Sequence, residues 1–189
     1  MGGNWFSGWF GKTLLKVTGW QVKGELPNCP KMVIAVAPHT SNWDFFLGIA
    51  VLFYLRIKIR FLGKHSIFKP GLKPILNWLG GIPVDRRSRH GVVDQICHHF
   101  DTNEKMILAV APEGTRSPVY PWKTGFITIA HKAKVPVLLI GFDFNLKHVI
   151  VGPHFLPSGD TAADMAHVYE FYKGIAAKYP DDVLFSERQ

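Results

Sequence analysis

Met32-Val33-Ile34-Ala35-Val36-Ala37-Pro38-His39-Thr40-Ser41-Asn42-Trp43-Asp44-Phe45-Phe46-Leu47 is the stretch from which the fold is read. Met32 to Ala37 is an unbroken apolar run of strand length, as expected of a strand buried on both faces. Phe45 to Leu55 is apolar and uncharged, and reads as a helix. Between them His39 and Asp44 stand five residues apart, at the junction of strand and helix. In that setting the carboxylate can hold the imidazole in one tautomer and leave its other nitrogen free to accept a proton. This is the base and orienter of a catalytic triad without a nucleophile supplied alongside. Ser41-Asn42-Trp43-Asp44 also fits a capping box, with Ser41 as N-cap and Asp44 at the third helical position. The two readings are compatible, because a capped helix start is a rigid mount for a carboxylate.

Outward from this stretch, strands and helices alternate. Strands are expected at Val22 to Pro30 (with a turn), Lys58 to Gly63, Gly80 to Val84, Met106 to Ala111, Val135 to Phe144 and His148 to Val151. Helices are expected over Ser66 to Leu79, broken near Pro70 and Pro74, and over His90 to Asn103, Thr124 to Lys134 and Thr161 to Tyr179. The alternation predicts an α/β fold: a single domain with a largely parallel sheet flanked by helices. Residues 1–20 carry Trp5, Phe6, Trp9, Phe10, Leu14, Val17 and Trp20 at helical spacing, with Lys12 and Lys16 off that stripe. Such a stripe suits an amphipathic helix in a membrane interface, or one packed on the domain. Gly2, Gly3, Gly8 and Gly11 weaken the helix.

Composition narrows the partners. The 189 residues carry 22 Lys and Arg against 14 Asp and Glu, a formal charge of +8, with 47% hydrophobic residues. That excess favours anionic partners such as a membrane surface or phosphorylated, CoA-like substrates. No dense basic run or nucleic-acid motif is present, so no nucleic-acid partner is expected. Cys29 and Cys97 share no repeated spacing, which argues against a disulfide framework and for a reducing, cytosolic setting. No secretory signal is visible. The longest uncharged apolar run, Phe45 to Leu55, has 11 residues, whereas a membrane span takes about 20. Cys97-His98-His99 point to different faces of a helix and have no second ligand pair, so no metal is expected.

Three charged motifs each follow an apolar strand: His39 to Asp44, Asp85-Arg86-Arg87, and Pro112-Glu113-Gly114-Thr115-Arg116-Ser117. Ligands of open α/β sheets bind outside the carboxyl ends of the strands. Parallel strands would therefore bring all three motifs to one edge. Arg86 and Arg116 offer forked donors suited to phosphate, and Lys64 a third positive charge. Each also reads as a solvated surface charge. Gly114 beside Thr115 permits a tight turn presenting backbone amides to an anion. Glu113 is placed to bind a substrate hydroxyl or to brace an arginine. Lys123-Thr124-Gly125 reads either as a basic turn near the donor or as a helix N-cap at Thr124.

The ordered blocks His39-x-x-x-x-Asp44, Gly81-x-x-x-Asp85-Arg86, Pro112 to Ser117 and Val135 to Ile140 resemble the glycerolipid acyltransferases, which include the lysophosphatidate and glycerol-3-phosphate acyltransferases. The resemblance covers roughly residues 32–145. It implies that His39 is the general base, oriented by Asp44, and that an acceptor hydroxyl attacks an acyl thioester without an acyl-enzyme. It implies that Lys64, Arg86, Glu113, Gly114, Thr115 and Arg116 bind substrate. The donor would be acyl-CoA or acyl carrier protein, with no cofactor, and the acceptor a lysophospholipid such as 1-acylglycerol-3-phosphate. Residues 21–189 would form the acyltransferase domain, held at the cytoplasmic, anionic face of a membrane as a peripheral or monotopic protein. An acceptor without phosphate, or a non-catalytic binder of anionic lipid, are the competing readings.

Overall fold

The predicted strand after Pro30 forms β2 (Lys31–Ala37) and takes the middle of the sheet, for a reason visible in its side chains. Val33 and Ala35 point into one core and Met32 and Ile34 into another, so neither face is left for water. A strand apolar at every position is stable only when covered on both sides. The computed structural model describes residues 5–84 and 89–186. Its other strands are β1 (Gln21–Lys23), β3 (Arg60–Lys64), β4 (Gly81–Val84), β5 (Met106–Val110), β6 (Val137–Asp143) and β7 (His148–Phe155). They form one seven-stranded sheet in the order β1-β7-β6-β2-β5-β3-β4. Strands β2 to β6 are mutually parallel wherever they pair. β7 runs antiparallel to β6, and β1 lies parallel to β7.

Helices α4 (Arg89–Thr102), α5 (Gly125–Ala133) and α6 (Thr161–Lys173) cover one face. Ile96, Phe100, Phe126, Ile129, Val168 and Tyr172 pack there on Val33, Ala35, Leu108, Val137 and Leu139. Helices α1 (Trp5–Thr18) and α2 (Trp43–Leu55) cover the other, with Leu15, Leu47, Ala50 and Val51 on Met32, Ile34, Leu138 and Ile140.

The glycines of α1 have a positive role that the sequence reading did not assign. A Cβ on Gly11 would lie 2.8 Å from Ala50 O and closer still to Tyr54 N, so the missing side chain at Gly11 is what lets α1 seat on the backbone of α2, with Leu15 buried alongside and Gly8 against the Arg56 side chain. The opposite, aromatic stripe faces outward, with Trp5 72% and Val17 80% exposed, and Trp9, Phe10 and Leu14 exposed with them.

Two expected helices are shortened. In place of a helix over Ser66 to Leu79 there is a 3-10 turn at His65–Ile67 and a short α3 (Lys73–Trp78). Pro70 lies outside the helix and Pro74 inside its first turn, where a missing N–H costs nothing. The closing helix stops at Lys173 rather than Tyr179, because Gly174 ends it and the chain turns back to bury Ile175 and Ala177. Ile175 fills the space a side chain at Gly141 would occupy, its Cδ1 standing 2.9 Å from that position. Thr124 takes the N-cap position of α5, as read from the sequence, although its side chain makes no cap bond there.

Candidate active site

Parallel pairing aligns the carboxyl ends of β2, β5, β3 and β4: Ala35 lies beside Val110, Phe61 beside Ala109, and Lys64 beside Val84. The loops after β2 and β5 therefore emerge as neighbours on one edge. Lys64 ends β3 on the same edge, though its side chain is not described, and Arg86 lies outside the described residues.

The loop after β2 is tied to itself. Asp44, 4% exposed, accepts the Thr40 and Ser41 backbone N–H groups on Oδ2 at 2.9 and 2.8 Å, and the Ser41 hydroxyl on Oδ1 at 3.1 Å. Ser41 Oγ in turn accepts the Trp43 N–H at 3.2 Å. These are reciprocal bonds of the capping-box kind, although Asn42 rather than Ser41 is the residue before α2. His39 Nδ1 lies 3.1 Å from Asp44 Oδ2. An oxygen that accepts from two amides favours a donor on the imidazole side, so in the neutral ring this geometry favours the hydrogen on Nδ1 and the lone pair on Nε2. The capping bonds and the contact with His39 thus coexist in one carboxylate. The Ser41 hydroxyl is committed to Asp44 and not to the imidazole.

The loop after β5 is tied to the first. Glu113 Oε1 accepts the His39 backbone N–H at 2.8 Å, so Glu113 braces the histidine loop rather than an arginine. Its other oxygen, Oε2, is buried and has no partner among the described residues. Burial pushes the Glu113 carboxyl up to about 7, against the lowering effect of its bonds to backbone amides. Behind it, Tyr172 is fully buried and donates to Ala35 O at 2.7 Å, with its hydroxyl held well above the usual range by desolvation. Arg116 Nη1 donates to Asn42 Oδ1, which joins the two loops again near their tips.

Gly114 adopts φ +65°, and the Lys123 side chain occupies the space beside it, with Nζ 2.6 Å from where a Cβ would sit. The left-handed φ favours glycine, whereas the flexible Lys123 side chain could shift to admit a Cβ. Its N–H donates to Ala111 O at 3.0 Å, so this amide, expected to face an anion, helps close the turn. Thr115 Oγ1 accepts the Ser117 N–H at 3.2 Å and is exposed. A cavity of about 420 Å³ opens beside these loops, lined by Thr40, Ser41, Asn42, Trp43, Arg116 and Tyr179.

The structure thus brings His39, Asp44, Glu113, Gly114, Thr115 and Arg116 together. Sequence reasoning missed Asn42, which sat inside the first block, and Tyr172 and Tyr179, which carried no motif. Among the described residues no three His, Cys, Asp or Glu side chains gather as a metal site would need, and no helix is long and apolar enough to cross a membrane.

Residues 21–142 match the acyltransferase family model. No curated protein sequence matches the chain significantly. Among solved structures, the chain is similar to the 1-acyl-sn-glycerophosphate (LPA) acyltransferase PlsC from Thermotoga maritima. The TM-score is 0.60 at 20% identity, over 92% of this chain and 80% of that one, which is a likeness of fold.

Proposed function

Given that the chain belongs to the acyltransferase family, we propose that it moves an acyl group from a thioester to the hydroxyl of a lysophospholipid, with His39 as base. The observation that carries this reading is the His39 Nδ1 to Asp44 Oδ2 pair, which leaves Nε2 free at the strand edge. Nε2 takes the acceptor's hydroxyl proton as its oxygen attacks the thioester carbonyl carbon. The tetrahedral intermediate collapses with loss of the C–S bond, and the imidazolium returns the proton to the departing thiolate. Protons balance and no covalent acyl-enzyme forms. The commitment of Ser41 to Asp44 supports direct transfer.

Glu113 Oε2 offers the acceptor a buried partner, and Arg116 a cation for a phosphate headgroup. Arg86 and Lys64 are assigned to the same headgroup on their sequence blocks alone. The acceptor named for the similar PlsC structure, 1-acyl-sn-glycerophosphate, is the one this charge suits. The donor is acyl-CoA or acyl carrier protein, and no further cofactor enters the scheme. The outward aromatic stripe of α1, with Trp43, Phe45 and Phe46 of α2, supports residence on a membrane surface, which the proposal places at the anionic, cytoplasmic face to suit the net positive charge.

Incubation with acyl-CoA or acyl carrier protein and lysophosphatidate should release thiol, and His39→Ala should abolish the release. Absence of turnover with either donor across lyso-acceptors would refute the reading. Arg116→Ala separates acceptor classes: a phosphorylated acceptor should show a KM raised about tenfold, and an uncharged one almost none. Replacing Trp5, Trp9 and Phe10 with Ser should release the protein from anionic vesicles in a flotation assay. Undiminished flotation would show that α1 is not the anchor.

A further inference from the structure

The chain beyond α6 lies past the residues that match the family model, yet it contributes Tyr179 to the cavity lined by Thr40 and Ser41 of the His39 loop. Its course is pinned on both sides of Lys178. Upstream, Ile175 and Ala177 are buried and Ala176 O accepts the Phe144 N–H at 2.8 Å. Downstream, the Tyr179 N–H donates to Thr40 Oγ1 at 3.3 Å, within the loop that carries His39 and Asp44. The backbone of Lys178 is therefore fixed beside the His39 loop. Its Nζ stands 4.9 Å from the centre of the Trp43 ring and 5.6 Å from that of Tyr179. Both rings line the cavity, together with Arg116 and the Thr40 and Ser41 segment, and no acidic residue does. A π face attracts an ammonium without neutralising it, so the charge of Lys178 stays available to an anion.

We propose that this cavity is a phosphate-binding subsite in which Lys178, supplied by the C-terminal segment, acts with Arg116. The inference rests on the acyl-transfer reading above, since it takes the phosphate to belong to a substrate. Two sources share that chemistry: the headgroup of the acceptor and the phosphates of a CoA donor. Lys178 touches no reacting atom in this scheme and is a positioning residue.

Lys178→Gln and Lys178→Arg are compared with the unmodified chain by steady-state kinetics, and by calorimetric titration with glycerol 3-phosphate and with CoA. Lys178→Gln should raise one KM about threefold to tenfold and change kcat by no more than about twofold. The same ligand's Kd should rise in parallel, and Lys178→Arg should restore most of the loss. A raised acceptor KM with weaker glycerol 3-phosphate binding identifies the headgroup. A raised donor KM with weaker CoA binding identifies the donor. Unchanged KM and Kd values for both ligands would overturn the inference while leaving acyl transfer intact. If the unmodified chain neither turns over nor binds either phosphate, the acyl-transfer reading and the inference fall together.

Discussion

The loops that follow β2 and β5 carry one buried carboxylate each, and the two are held in opposite ways. Asp44 has donors on both oxygens: two amides, a hydroxyl and the imidazole. Glu113 has one donor on Oε1 and none described on Oε2. A fully satisfied acceptor is a fixed post, suited to holding another group in one orientation. A half-satisfied one bears the desolvation penalty of its idle oxygen and is waiting for a partner. The difference supports the proposed roles, with Asp44 setting the histidine and Glu113 meeting the ligand.

The largest effect should come from removing the group between the two. His39→Ala should lower kcat/KM by about a hundredfold to ten-thousandfold, the usual range for a general base, in an assay of thiol release. Asp44→Asn keeps the shape but can turn an amide donor toward Nδ1. It should cost about tenfold to a thousandfold in kcat, with less change in acceptor KM. A loss in KM alone would make Asp44 a capping residue and nothing more.

Glu113 should declare itself through stability. Its folded value near 7 lies above the ordinary 4.5, so the native state prefers it protonated. That contribution is fully present below the ordinary value and is lost as pH rises through 7. Denaturant unfolding of Glu113→Gln and the unmodified chain should therefore diverge, the variant gaining roughly 2 kcal/mol between pH 5 and 8. A pH-independent difference would mean that Oε2 is well solvated, and the contrast with Asp44 would vanish. The smallest effect expected is that of Asn42→Ala, which frees Arg116 from its tie between the loops. Acceptor KM should rise about twofold to threefold in the same kinetic assay.

How much of this was legible in the sequence follows from the range of the interactions. The β2–loop–α2 unit was legible because strand, His39, Asp44 and helix are contiguous, and each is bound to near neighbours. The sheet and the meeting of the loops after β2 and β5 followed from alternation and parallel pairing alone. Glu113 was placed at the site by its block, but its bond reaches His39, which is 74 residues away, and no local pattern encodes that. Gly11 looked like a flaw in a helix because its value lies in the backbone of α2 that it admits. The return of the chain after Gly174 was hidden for a similar reason. Ile175 and Ala177 continue an apolar pattern, and the room that Gly141 leaves for Ile175 lies in a distant strand.

A nitrogen-15 spectrum of histidine-labelled protein, with the His39 signals assigned by their absence from His39→Gln, most directly tests whether Asp44 sets the imidazole. At a pH where His39 is neutral, Nδ1 should resonate as a protonated nitrogen and Nε2 as one bearing a lone pair. The opposite tautomer, or an even mixture of both, would contradict the assignment of His39 as a base poised by Asp44.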